Sequence, residues 1–248
     1  MNNKSNFIRS LLLISICFFI GVASATAFSF SPMTVSIAPF GANAVMTYKV
    51  TNESDQQTAV SIKVATRTID TAGVEKNEPV DKLFLVFPAR VVLKPNSSQN
   101  VKVQYRGNAA ITSELAFRVI AEQLPVDFTK STTSGVNILL TYVAALYVTP
   151  KNATPKLIFD KAVGILEEGK AGLQVTVKNT GTRHALLANP KAKIIQVSGV
   201  APLEFSGEAM AAIDGQNILA LSERSFFMPW DAAEVGTNYS GSFEAEIE

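Results

Sequence analysis

Strict alternation of apolar and polar residues recurs along this chain, and that period of two confines the fold to β structure. Ala44, Met46, Tyr48 and Val50 alternate with Val45, Thr47 and Lys49. Val60, Ile62 and Val64 alternate with Ser61 and Lys63. The same rhythm returns at Val101-Val103-Tyr105, Leu115-Phe117-Val119 and Leu173-Val175-Val177. Turn residues punctuate these runs at Pro39–Gly41, Asn52–Gln56, Pro95–Ser98 and Asn179–Gly181. No long 3.6-residue pattern competes. Many short strands between frequent turns predict an all-β protein built of sandwiches, with inward and outward faces alternating.

The chain divides. An apolar run ends at Val148, and Thr149-Pro-Lys-Asn-Ala-Thr-Pro155 follows, with two prolines that stop strand pairing and stiffen a short connector. We expect two sandwiches, over residues 28–150 and 151–248. The halves echo each other: Tyr48-Lys-Val-Thr-Asn52 and Val175-Thr-Val-Lys-Asn179 both run into an asparagine turn. Residues 1–27 read as a secretory signal peptide. Lys4 and Arg9 precede an apolar stretch, Leu11–Val22, that is too short to span a bilayer comfortably, and Ala25-Thr-Ala27 supplies the cleavage signature. Cys17 leaves with that leader, so the exported chain has no cysteine and no disulfide.

Composition excludes several functions. The 22 basic residues lose Lys4 and Arg9 with the leader, leaving 20 against 21 acidic ones, so nothing supports nucleic-acid binding. One histidine, His184, and one cysteine leave no material for a zinc site or a Cys-His enzyme. No nucleophile–base pair is evident, so we expect no enzyme, no cofactor, no metal and no small-molecule substrate. His184, after the Gly181 turn, is expected at the surface, Glu167-Glu168 as a solvated loop pair, and Trp230 in the second core.

The feature left over is Gly135–Val148, more than a dozen residues without a charge. Val136, Ile138, Leu140 and Tyr142 fall on one face; Leu139, Val143 and Leu146 make the rest apolar too. Two readings fit. It is a central strand buried on both sides, or an edge strand kept apolar because a partner pairs with it, since soluble proteins normally guard such edges.

Several segments, in order, resemble the periplasmic pilus-assembly chaperones, the PapD-like family. These are Phe40-Gly-Ala42 with Val50-Thr-Asn52; Phe87-Pro-Ala-Arg-Val-Val-Leu-Lys-Pro95 followed by Val101–Arg106; Ser113–Arg118 through Leu124-Pro125; Val136–Pro150; and Ser222–Pro229. The resemblance implies two immunoglobulin-like domains joined at an angle, with a cleft between them. It implies a periplasmic chaperone that binds pilin subunits by lending them a strand and delivers them to an outer-membrane usher. Lending a strand is β-strand addition, in which backbone pairing supplies affinity and alternate side chains fill pockets. Val136, Ile138, Leu140 and Tyr142 then form the donor face, whose burial is worth about 6–12 kcal/mol gross. The same edge is a candidate for self-association. The family's usual carboxylate-binding cations fall here on Ser36 and Ala145, so the chain resembles the archaic branch, and Arg90 and Arg118 become the candidate anchors, with Arg67, Lys102 and Arg106 behind them. A guanidinium grips a carboxylate through two parallel hydrogen bonds; solvated strand arginines are the plain alternative. A structural or adhesive surface protein of two sandwiches is the other function that fits. Such a subunit carries its own extension strand and one incomplete domain, whereas both halves here read as complete.

Overall fold

In the computed structural model, residues 28–125, 138–195 and 202–247 are described. The expected signal peptide and Val136 lie outside them. The first half opens with β1 (Phe28–Ser31), β2 (Thr34–Ile37), β3 (Val45–Asn52) and β4 (Thr58–Thr66). It continues with the two-residue strands β5 (Thr68–Ile69) and β6 (Glu75–Lys76), then β7 (Phe84–Phe87), β8 (Arg90–Leu93), β9 (Ser98–Tyr105), β10 (Leu115–Gln123) and β11 (Thr141–Val148). One sheet runs β1-β3-β9-β7 and faces a second, β2-β11-β10-β4-β8, while β5 and β6 make a separate small hairpin.

The second half contains β12 (Leu157–Glu167), β13 (Lys170–Asn179), β14 (Ala185–Ile195), β15 (Leu203–Phe205), β16 (Asn217–Ile218), β17 (Ser222–Pro229) and β18 (Asn238–Ile247). Its strands run β15-β14-β18-β12-β13-β17, with β16 alongside β14. The junction of β12 with β18 holds by only two residue pairs, and there the sheet folds over into a sandwich. The protein is therefore all-β, two sandwich domains with separate cores.

The period of two is why these residues form these strands. Val101, Val103 and Tyr105 are buried while Lys102 is exposed. Val60, Ile62 and Val64 are buried on β4, Phe117, Val119 and Ala121 on β10, and Leu173, Val175 and Val177 on β13. Tyr48 stacks on Phe30 with ring centroids 4.9 Å apart in the first core.

The echo between the halves is physical. Asn52 and Asn179 are both almost fully buried at the ends of β3 and β13. Asn52 Nδ2 donates to the carbonyls of Gln56, Leu93 and Lys94, and its Oδ1 accepts from Ser54 N–H. Asn179 Nδ2 donates to the carbonyls of Arg183, Ile218 and Leu219, and its Oδ1 accepts from Gly181 N–H. Each amide satisfies backbone groups that a turn would otherwise bury unpaired.

The domains meet around Tyr147. Ala145, Tyr147 and Leu219 form a small shared core with Ile69 and Ala116. The hairpin tip adds a bond from Ser225 N–H to the Thr71 carbonyl at 2.7 Å. His184 corrects the expectation of a surface position. It is 9% exposed and its ring stacks on Tyr147 at 3.9 Å. Its backbone N–H donates to Glu114 Oε1 at 3.0 Å. Its Nδ1 lies 2.6 Å from the same oxygen. An ionised carboxylate only accepts, so Nδ1 carries the proton. Burial alone would raise the Glu114 pKa, but the His184 and Thr149 hydrogen bonds outweigh it and hold the carboxyl below its ordinary value. Local sequence gave no hint of this, because Glu114 is 70 residues away.

Candidate functional site

The charge-free run divides the two readings of it between its ends. In β11, Ala144, Leu146 and Val148 face the first core, while Ala145 and Tyr147 face the second domain. That part is covered on both sides. It is also paired on both edges, antiparallel to β10 and parallel to β2 over Ala145–Val148. β2 has only four residues, so its ladder stops there.

From Thr141 to Ala144 the strand has β10 on one side and no ladder on the other among the described residues. Ala145 N–H turns outward to the Met33 carbonyl. Alternation then turns the N–H and C=O of Val143 and Thr141 to the same, unpaired side. Apart from Thr141, the exposed side chains there and just before it are apolar: Ile138 is 70% exposed, Leu139 43% and Val143 40%. Neither a charge nor a proline guards this edge.

The predicted donor residues are not equivalent in the structure. Ile138 stands free. Leu140 is half-buried, packed against the first core, and its carbonyl accepts Gln123 N–H at 2.9 Å. Tyr142 is turned inward, edge-to-face with Phe28 at 4.9 Å, and its hydroxyl donates to the Phe28 carbonyl at 2.7 Å.

The cations separate too. Arg90 is exposed on β8. Two strands, β4 and β10, stand between it and β11, a separation of about 14 Å at the usual strand spacing. Lys102 and Arg106 belong to β9 and its exit, in the other sheet. Arg118 sits opposite Ala145 in the β10–β11 ladder and reaches the cleft between the domains, where Arg67 joins it. A cavity of about 360 Å³ there is lined by Arg67, Glu75, Arg118, Tyr147, His184 and Arg224, among others.

Glu75 organises this cleft. Arg118 donates to it in a two-bond fork, Nε to Oε1 at 2.7 Å and Nη2 to Oε2 at 2.6 Å. Arg67 Nε donates to Oε2 at 2.9 Å, and Arg67 Nη1 donates to the Tyr147 hydroxyl at 2.6 Å. Asn217 Nδ2 from the second domain donates to the same hydroxyl. Burial works against ionising Glu75, but the Arg118 and Arg67 bonds and charges win and lower its pKa to about 2. Burial raises the Tyr147 pKa, which keeps the phenol neutral. Ser36, in the β2 ladder opposite Tyr147, is exposed and outside this group.

Glu75, Tyr147 and Arg224 were not singled out from sequence, and His184 was expected at the surface. Arg224 had a signal: it alternates with Phe226 and Met228, which puts it on the buried face of β17.

With this geometry in hand, comparisons place the chain among known proteins. Among solved structures, a class 5 fimbriae chaperone, CfaA, aligns with TM-score 0.56 and 13% identity over 89% of this chain and 99% of its own. A chain of the CsuC–CsuE chaperone–tip adhesion subunit complex from the archaic Csu pili of Acinetobacter baumannii aligns with TM-score 0.57 and 17% identity, covering 84% of this chain and 90% of that one. A chain of the Salmonella enterica SafA pilin–SafB chaperone complex aligns with TM-score 0.53 and 13% identity, covering 91% and 99%. At these identities the likeness is one of fold. No curated protein sequence matches. The family model for pili and flagellar-assembly chaperones, PapD N-terminal domain, matches residues 33–154. These residues hold the unguarded edge and the first-domain wall of the cleft, and this first domain belongs with the PapD N-terminal domain of pili and flagellar-assembly chaperones.

Proposed function

We infer that this protein is a periplasmic chaperone of the chaperone–usher pathway. It binds pilin subunits by lending them the N-terminal part of β11 as an extra strand and delivers them to an outer-membrane usher. The observation that carries this reading is the unpaired edge at Thr141–Ala144, continued by apolar, exposed residues at 138 and 139. An incoming strand gains backbone hydrogen bonds along the edge and apolar burial beside it. Ile138 and Leu140 are the side chains offered to a subunit; Val136, the other residue expected to join them, lies outside the described residues. Tyr142, tied to Phe28, positions the strand and contributes less contact. Export by residues 1–27 brings the protein to the compartment where subunits arrive. A chaperone acts by binding and release, so no catalytic step is assigned.

For the carboxylate anchor, Arg118 is the better candidate, because it adjoins β11 in the cleft while Arg90 stands at the far edge of the sheet. Glu75 now holds Arg118 as a subunit's carboxylate would, so a subunit has to share or displace it.

Co-purification of a pilin with edge variants tests the reading. Ile138→Lys puts a charge on a side chain that is mostly in water, so stability should change by less than about 0.5 kcal/mol, while pilin recovery collapses. Val103→Lys, in the core, should unfold the first domain. Full pilin recovery by a folded Ile138→Lys, Leu140→Lys double variant would refute strand lending from this edge.

A further inference from the structure

The outer face of the second sheet changes character along β11. Residues opposite one another in a ladder share a face. The β10–β11 register therefore lays out successive rows on it: Ala116 with Tyr147, Arg118 with Ala145, Ile120 with Val143, and Glu122 with Thr141. Ala116, Ala145 and Tyr147 pack with Leu219 of the second domain and with Ile69. Arg118 is taken up by Glu75. The next row has lost this cover: Val143 is 40% exposed, and Ile120 is only half-buried. Leu139, just before the strand, is exposed too.

The first sheet shows an outer face that meets water. Between β3 and β9 its rows are Thr47 with Lys102 and Lys49 with Asn100, all exposed, which is the polar side expected of an antiparallel sheet. The Ile120–Val143 row departs from that rule. It does not serve the first core, against which Leu140 and Tyr142 pack from the other side of the strand. It continues the apolar contact between the domains, from Tyr147 and Ala145 down to Val143, and it lies on the stretch of β11 whose second edge carries no ladder among the described residues. The charges that border the row are already paired, Lys63 with Glu122 at 2.9 Å and Arg118 with Glu75. Nothing beside Val143 therefore draws a charged group. A strand added at the open edge sets alternate side chains on this face, with the opposite one about 5 Å from Val143 between Cβ atoms.

We propose that Val143, with Ile120 behind it, is a second recognition surface, which selects a subunit strand that is apolar on its outward face as well as on the face turned to the core. This rests on strand lending and adds to it the chemistry demanded of the strand that pairs with β11. A strand with threonine or lysine outward makes the same backbone ladder but leaves Val143 wet or set against a charge.

The test titrates the whole protein with strand-length peptides, acetylated and amidated, and follows the Thr141 and Val143 amides and the Val143 and Ile120 methyl groups by NMR. The peptides alternate valine with a guest residue, which is valine, threonine or lysine, between terminal lysines that keep them soluble. The valine face turns to the core side, so the guest stands outward beside Val143. The valine guest should bind about fivefold more tightly than threonine and about tenfold more tightly than lysine, the range of a good cross-strand pair and beyond. Val143→Thr keeps the shape of the side chain and exchanges a methyl for a hydroxyl; it should reduce the preference for the valine guest to less than about twofold, while Val143→Ile should retain it. Equal binding of all guests, with the two amides still shifting, overturns the proposal and leaves strand lending standing. If no peptide moves those amides, strand lending from this edge falls and the proposal with it. A preference that survives in Val143→Thr also overturns the proposal, as does a wild type that forms dimers which Val143→Thr abolishes, since the face would then serve a second copy of the chain.

Discussion

Replacing Glu75 by Gln keeps the shape of the side chain and removes the one negative charge between Arg67 and Arg118. The magnitude follows from the carboxyl's displacement. Its pKa falls from 4.5 to about 2 on folding, and at 1.36 kcal/mol per unit this contributes about 3 kcal/mol at neutral pH. Glu75 is 23% exposed and the two arginines 10% and 17%, so solvent screens the group only in part. Loss of one partner of such a buried pair typically costs about 3–5 kcal/mol, in line with the linkage figure. The sign is fixed by the direction of the shift. A depressed carboxyl stabilises above its unfolded pKa, and the contribution fades as pH falls through the folded value. The wild type should therefore lose about 2 kcal/mol of this term between pH 7 and pH 3, while Glu75→Gln starts lower and varies less. Urea unfolding followed by far-ultraviolet circular dichroism across that range reads both effects. A variant within about 0.5 kcal/mol of wild type at pH 7, with the same acid slope, would refute the account of Glu75 as the counter-charge of the cleft.

Asn52→Asp and Asn179→Asp should each cost about 3 kcal/mol, because the new oxygen faces three carbonyls that the amide nitrogen served; thermal unfolding measures it, and a near-neutral result would show that water replaces the amide easily. His184→Phe preserves a ring against Tyr147 but strips Glu114 of its imidazole partner. The Glu114 pKa should then rise toward its ordinary value, flattening the stability loss seen as pH falls below about 4.3, and protease cleavage in the connector at residues 149–155 should quicken. An unchanged cleavage rate and acid slope would remove this pair from the domain interface.

The strands were legible because a half-buried strand must alternate, and the middle stretches of β3, β4, β9, β10 and β13 do so in sequence. The oddity of Gly135–Val148 was legible for the same reason, since a charge-free run demands cover or a partner. Its division was not. Where the covered part ends depends on β2 stopping after four residues, and no property of β11 encodes that. The cleft was harder still. Glu75 lies in a two-residue strand too short for any periodic signal, and its partners come 8 residues before it and 43 after it. Arg118 and Arg67 were named from sequence as cations of interest; that one carboxylate joins them follows only from strand pairing across the sheet. His184 was misread because its neighbours, Thr182, Arg183 and Ala185, describe a turn in water, while the groups that bury it belong to the other domain.

The paired asparagine corners also set an order in time. Asn52 closes on Leu93 and Lys94, and Asn179 on Ile218 and Leu219, so each latch is completed within its own half. A chain delivered N-terminus first can fasten the first latch once residue 94 has emerged, with the second half not yet present. β11 arrives some fifty residues afterwards, when β1 to β10 are already available to receive it. The strand with the open edge is thus the last piece of its own sandwich to be laid down, and a half-emerged chain offers no such edge to a neighbour.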